Sequence, residues 1–105
     1  MSEASEGPVP YRVVYSERVR NSLRQLVARA RAAGLATQIL VAVREMDRRL
    51  RLFPQFGQPL MDLGLRGGQV WIGAVGPLVI RYALYEERKL VVVAAPILPL
   101  PGSGF

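Results

Sequence analysis

At Pro54 the hydrophobic pattern of this chain changes period, and no other feature restricts the fold as much. Upstream, Val19, Leu23, Leu26, Ala30 and Ala33 recur at three- and four-residue steps, which places them on one face of a helix. Ser16 stands where it can cap that helix, and Glu17 lies in the first turn, where the helix dipole favours negative charge. Gly34 is placed to end the helix in a left-handed conformation. The same spacing predicts a second helix from Thr37 to Phe53, with Leu40, Val43, Met46, Leu50 and Phe53 as its stripe and Pro54 as its stop. So few residues separate the two helices that they are expected to form an antiparallel hairpin.

Downstream of Pro54 the pattern is that of strands. "PQFGQP" is a turn-rich loop and "LMDL" a candidate short strand before the "GLRGG" turn. "QVWIGAV", "LVIRYALY" and "KLVVVAA" are β-type runs. The "VGP" between the first two is too short for a crossover, so they pair antiparallel, and "EER" supplies the turn into the third. Near the N-terminus "YRVVYS" reads as one more strand, with Tyr11, Val13 and Tyr15 on one side and Arg12 and Val14 on the other.

The expectation is a two-layer α+β domain: an N-terminal strand, an antiparallel helix hairpin, then a three- or four-stranded antiparallel sheet with the helices on one face. Residues 1–10 read as a flexible arm, 11–96 as a single domain, and 97–105 as an extended Pro/Gly-rich tail. "KLVVVAA" is the most β-prone run, and the tail is expected to lie along its open edge and guard it from pairing.

Composition narrows the chemistry. Cysteine and histidine are both absent, which removes disulfides, thiolate metal sites and the commonest general base. No cofactor is implied. The net charge is +6, and Lys89 is the sole lysine among fourteen basic residues. Arginine forks suit phosphates and carboxylates, so acidic partners or unspecific nucleic-acid contact are open, as is a GC-rich genome writing arginine for lysine. The arginines of the two helices read most simply as the solvated sides of amphipathic helices. "MSEASEGPVP" lacks the apolar core of a signal peptide, and the longest apolar runs are too short to span a membrane. A cytoplasmic protein is the expectation.

The order of elements, with "LFPQFGQPL" after the second helix and "PLVIRYALYEERKLVVV" as the last hairpin, resembles the RelE/ParE superfamily. These are toxins of bacterial type II toxin–antitoxin modules, of the plasmid-stabilisation type. The resemblance spans roughly residues 11–96. It implies a small α+β toxin with a concave sheet face. One branch cleaves messenger RNA on the ribosome, the other inhibits DNA gyrase, and an antitoxin that wraps the toxin neutralises either. In the RNA-cleaving branch an arginine stands three positions before a strand tyrosine. Set on Tyr82, that position is Val79 here. The branch's basic residues on the preceding strand have no counterpart in "VWIGAV". Its arginine, tyrosine or histidine beyond the last strand has none in "PILPLPGSGF".

Strand alternation puts Val79, Arg81, Ala83 and Tyr85 on a free face and Leu78, Ile80, Tyr82 and Leu84 on the core face. The catalytic candidates are therefore Arg81 and Tyr85, joined by Arg66 if its turn folds over that face. Arg81 also reads as a solvated position opposite Val91 or Val93. Partner-binding candidates are Trp71, Val79, Arg81 and Tyr85 on the free face, with Val91 and Val93 along the last strand's edge. Trp71 belongs to the free face in one register and to the core in the other, and both remain open. The leading expectation is a toxin-like protein that binds a macromolecular target such as gyrase and is neutralised by a cognate antitoxin. A homodimer is open. The alternatives are a ribosome-dependent endoribonuclease, using Arg81, Tyr85 and Arg66, and a degenerate member with a structural role only.

Overall fold

The computed structural model describes residues 9–64 and 67–102. The arm expected over residues 1–10 therefore lies outside the described residues, apart from Val9 and Pro10, which are exposed. Strand β1 (Arg12–Tyr15) leads into helices α1 (Glu17–Ala32) and α2 (Ala36–Leu52). After them come β2 (Gln58–Asp62), β3 (Gln69–Val75), β4 (Leu78–Tyr85), β5 (Leu90–Val93) and the two-residue β6 (Leu98–Pro99). The layout is the α+β one expected.

Ser16 caps α1 by accepting the Val19 amide at 3.1 Å, and Gly34, at φ +76°, follows the helix end. Val19, Leu26 and Ala30 are buried and Leu23 half-buried, whereas Ala33 lies past the last turn and is exposed. In α2 Met46 and Leu50 are buried as expected and Val43 packs against the core, but the first turn of the stripe is displaced by one position. Ile39, Ala42, Met46 and Leu50 face the core, while Leu40 is 43% exposed. The run "ILVAV" is apolar all round, so spacing alone admits two phases and packing against the sheet selects one. Phe53, 44% exposed, sits beyond the helix with φ −153°, which swings it off the stripe. Pro54 does end α2, opening a short 3-10 turn (Pro54–Phe56) in which it is buried.

The sheet order is β1-β5-β4-β3-β2, and it is mixed. β3, β4 and β5 form the expected meander, but β1 pairs with β5 in parallel, Val13 opposite Val91 and Val14 opposite Val92. Two expectations fall with that pairing. β5 is not an edge strand, because β1 covers it. Nor is the tail its guard: β6 pairs with the start of β4 instead, Leu98 opposite Val79 and Pro99 opposite Leu78. Between β5 and β6 the chain bows away from β4, carrying Ile97 into the core at 2% exposure. The tail is thus part of the fold. The reason is local. β5 ends at Val93, and Pro96, which cannot donate a ladder bond, stands in the break before β6 begins at Leu98.

β4 alternates as expected. Leu78, Ile80, Tyr82 and Leu84 are buried under the helices, and Arg81 is exposed on the other side. Burying Tyr82 requires a partner for its hydroxyl, which donates to the Pro54 carbonyl at 2.5 Å while Phe56 stacks on its ring. A latch on the opposite side ties β1 to α2: the Tyr15 hydroxyl donates to Asp47 at 2.7 Å, and Arg51 donates to the same carboxylate at 2.8 Å.

Candidate functional site: the bare face of the sheet

Both helices pack on one face of the sheet, and the described residues leave the other bare. Cross-strand register shows what it carries. Val14 of β1 stands opposite Val92 of β5, Val92 opposite Ala83 of β4, Ala83 opposite Val70 of β3, and Val70 opposite Met61 of β2. Partners across a ladder share a face, so these five form one apolar row across five strands. Four strand spacings make the row about 19 Å long. Its ends are the most open positions, Val14 at 42% and Met61 at 60% exposure.

A second row lies beside it. Arg81 pairs with Ile72 of β3, and Ile72 with Gln58 of β2. Here the interruption between β5 and β6 matters. Among the described residues β4 has registered partners on that flank only at Leu78–Val79 and Ala83–Tyr85, which leaves Ile80–Tyr82 facing a gap. The gap is a depression of about 200 Å³ lined by Ile72, Val79, Arg81, Ala95, Pro96 and Leu98. Every lining side chain but one is hydrocarbon. The exception is the Arg81 guanidinium.

Tyr85 does not join Arg81. Four residues of strand separate the two by about 13 Å. The Tyr85 ring is also occupied: it lies over Gly68, where an added Cβ would stand 2.5 Å from the ring, and the Arg88 guanidinium sits 5.8 Å from its centroid. Only glycine at position 68 leaves room for that ring. Arg66 lies outside the described residues, so its proposed place beside Arg81 is not resolved by the fold. Arg81 and Tyr85 are therefore not brought together.

Three partner-surface candidates lie on the helix side of the sheet, which settles the register left open for Trp71 and takes Val91 and Val93 off the expected edge. Trp71 stands opposite Tyr82, so it belongs to the helix-side face, where it is half-buried against the core and its indole donates to Gln69 at 3.2 Å. Val75, buried opposite Leu78, fixes that register, and Ile72 takes the free-face place instead. Val91 and Val93 are fully buried core residues, because Val91 pairs with Leu84 on the helix side. The residues of β5 that reach the free face are Leu90 and Val92. Of the expected set, Val79, Arg81 and Tyr85 keep their side. The row through Ala83 was hidden from sequence reasoning because no short-range pattern reports the parallel β1–β5 pairing.

Charges sit at the margins of this face. Arg12 stands opposite Leu90 on one side of the apolar row, with Arg88 close by over Tyr85, and Arg81 stands on the other side. The perturbed carboxylates lie elsewhere, on α2. Hydrogen bonds from Arg48 and Arg49 hold Glu45 down to about 2. Burial would raise Asp47, but its bonds from Arg51 and Tyr15 outweigh that and leave it lowered. Among the described residues no group of three or more acidic side chains is arranged to hold a metal ion. No helix among them is long and apolar enough to cross a membrane.

No protein-family model, curated protein or solved structure matches the chain.

Proposed function

We propose that the protein is a toxin-like component of a type II toxin–antitoxin module, similar to the RelE/ParE superfamily, and that it acts by binding through the bare sheet face. The observation that carries this reading is the apolar row from Val14 to Met61, open on a face that the helices do not cover. An uncovered apolar stripe in a small domain marks a docking surface more often than it marks chemistry. The depression beside Arg81 supports the same view, since it offers one cation among carbon atoms and suits an acidic side chain next to an apolar one.

The same face serves the target and the antitoxin in turn. Its occupant in the neutralised state is an acidic, amphipathic antitoxin segment: apolar side chains lie along the row and carboxylates meet Arg12, Arg81 and Arg88. Charge complementarity favours that occupant over a second copy of this chain, which would bring like charges together at the margins. DNA gyrase is the target class the resemblance suggests.

The test has two arms. Purified protein added to gyrase should inhibit supercoiling, and Arg81→Glu should relieve the inhibition. Primer extension on messenger RNA translated with the protein present should show no codon-dependent cuts. Cuts that vanish in Arg81→Ala would replace this reading with the endoribonuclease one. Neither effect, from folded protein, would leave only a structural role.

A further inference from the structure

The net charge of +6 is not spread over the molecule. α1 holds five arginines against a single acid, Glu17, and α2 holds four against Glu45 and Asp47. The rest of the chain balances five cations with five acids. The whole excess therefore belongs to the two helices, and two-thirds of it to α1. A genome rich in arginine codons would explain arginine in place of lysine. It would not explain why acids are missing from this one helix.

The helices also differ in what their arginines do. On α2, Arg48 and Arg49 both bind Glu45 and Arg51 binds Asp47, so three of its four arginines are paired and half of its positive charge is neutralised in place. On α1 none of the five arginines forms an ion pair among the described residues, and all five are exposed. Arg20, Arg24 and Arg31 fall within about 40° of one another around the helix and span about 16 Å along it. Arg18 and Arg29 make a second line on the opposite flank of the buried stripe, Val19, Leu26 and Ala30. The result is two lines of exposed guanidinium groups along α1, on the helix side of the sheet, with Arg24 also donating to Asn21.

We infer that α1 is a binding site for a nucleic-acid phosphodiester backbone, contacted without regard to base sequence. Exposed arginines without a carboxylate partner suit a polyanion, and their affinity comes from released counterions. A lipid surface fits less well. An interfacial helix must offer its apolar face to the acyl chains, and the apolar face of α1 is already in the protein core. α1 packs on the opposite side of the sheet from the bare face, although Arg18 borders a hollow with Pro96, which also lines the Arg81 depression.

Fluorescence anisotropy with a 20-base-pair DNA duplex, and with an RNA duplex of the same sequence, tests the inference in a salt titration. Three to five phosphate contacts predict a plot of log affinity against log salt with a slope between roughly −2.7 and −4.5 on DNA. Arg20→Gln/Arg24→Gln/Arg31→Gln should cost tenfold or more in affinity at low salt and flatten the slope by about 2.7. Arg48→Gln, which removes an α2 arginine already paired with Glu45, should change either by far less. Should the triple variant melt early, Arg24→Gln alone should flatten the slope by about 1. The preferred duplex identifies the backbone as DNA or RNA. No binding at 50 mM salt would overturn the inference, as would binding unchanged in the triple variant. Equal binding to phosphatidylserine vesicles would overturn it too.

Discussion

Replacing Tyr82 by phenylalanine should destabilise the protein at neutral pH and stop doing so in alkali. Tyr82 is 1% exposed, and its hydroxyl donates to the Pro54 carbonyl at 2.5 Å, where the chain turns from α2 into the sheet. Removing the hydroxyl leaves a buried carbonyl without its donor, at a cost of about 1–3 kcal/mol. Burial also pushes the phenol up from its ordinary 10 to about 12, against a smaller pull from the Gly57 amide. The folded state thus resists losing that proton more than the unfolded state does. Stability from this group is intact below pH 10, falls as pH rises from 10 toward 12, and would fall by about 3 kcal/mol in full. Phenylalanine has no proton to lose. Urea unfolding followed by circular dichroism at pH 7 and across pH 9–11.5 should therefore show the gap between parent and variant closing with pH. Tyr15, raised above its ordinary value by burial and by its bond to Asp47, titrates in both proteins and does not affect the difference. A variant as stable as the parent at pH 7, or a gap that stays constant with pH, would refute the burial and hydrogen bonding assigned to Tyr82.

Two further outcomes follow from backbone packing. Gly57→Ala would set a Cβ 2.3 Å from the Ile72 carbonyl oxygen, and backbone cannot step aside as a side chain can, so a loss of about 1–3 kcal/mol is expected in thermal melts. Truncation after Ala95 removes β6 and the buried Ile97, and should lower the melting temperature by roughly 8 °C or more; a truncated protein that melts like the parent would show the tail to be dispensable.

Elements whose cause is local were legible in the sequence: the Ser16 cap, the Gly34 end, the Pro54 stop, and the β4 alternation that places Arg81 outward. What escaped depended on contacts distant in sequence. The phase of α2 was ambiguous because Ile39, Leu40 and Val41 are all apolar, and only the packed sheet selects Ile39. The side on which Trp71 lies is set by its pairing with Tyr82, eleven residues away, since "QVWIGAV" is apolar on both faces. The parallel pairing of β1 with β5 joins opposite ends of the chain, so nothing near either strand announces it. That one pairing moved Val91 and Val93 from a supposed edge into the core, and it completed the apolar row. As for the site, Arg81 and Val79 were legible by alternation. The depression beside them was not, because it arises where the strand breaks between β5 and β6.

The claim on which the account rests is that the protein acts through its bare sheet face. Met61 and Arg81 both lie on that face and are both exposed, so Met61→Asp/Arg81→Glu should leave the fold within about 1 kcal/mol of the parent. The direct measurement is growth after induced expression of each protein in a bacterial host without the antitoxin, at matched levels of folded protein. The parent should arrest growth and the double variant should not. A double variant that arrests growth as fast as the parent, or a folded parent that leaves growth unchanged, would contradict the account.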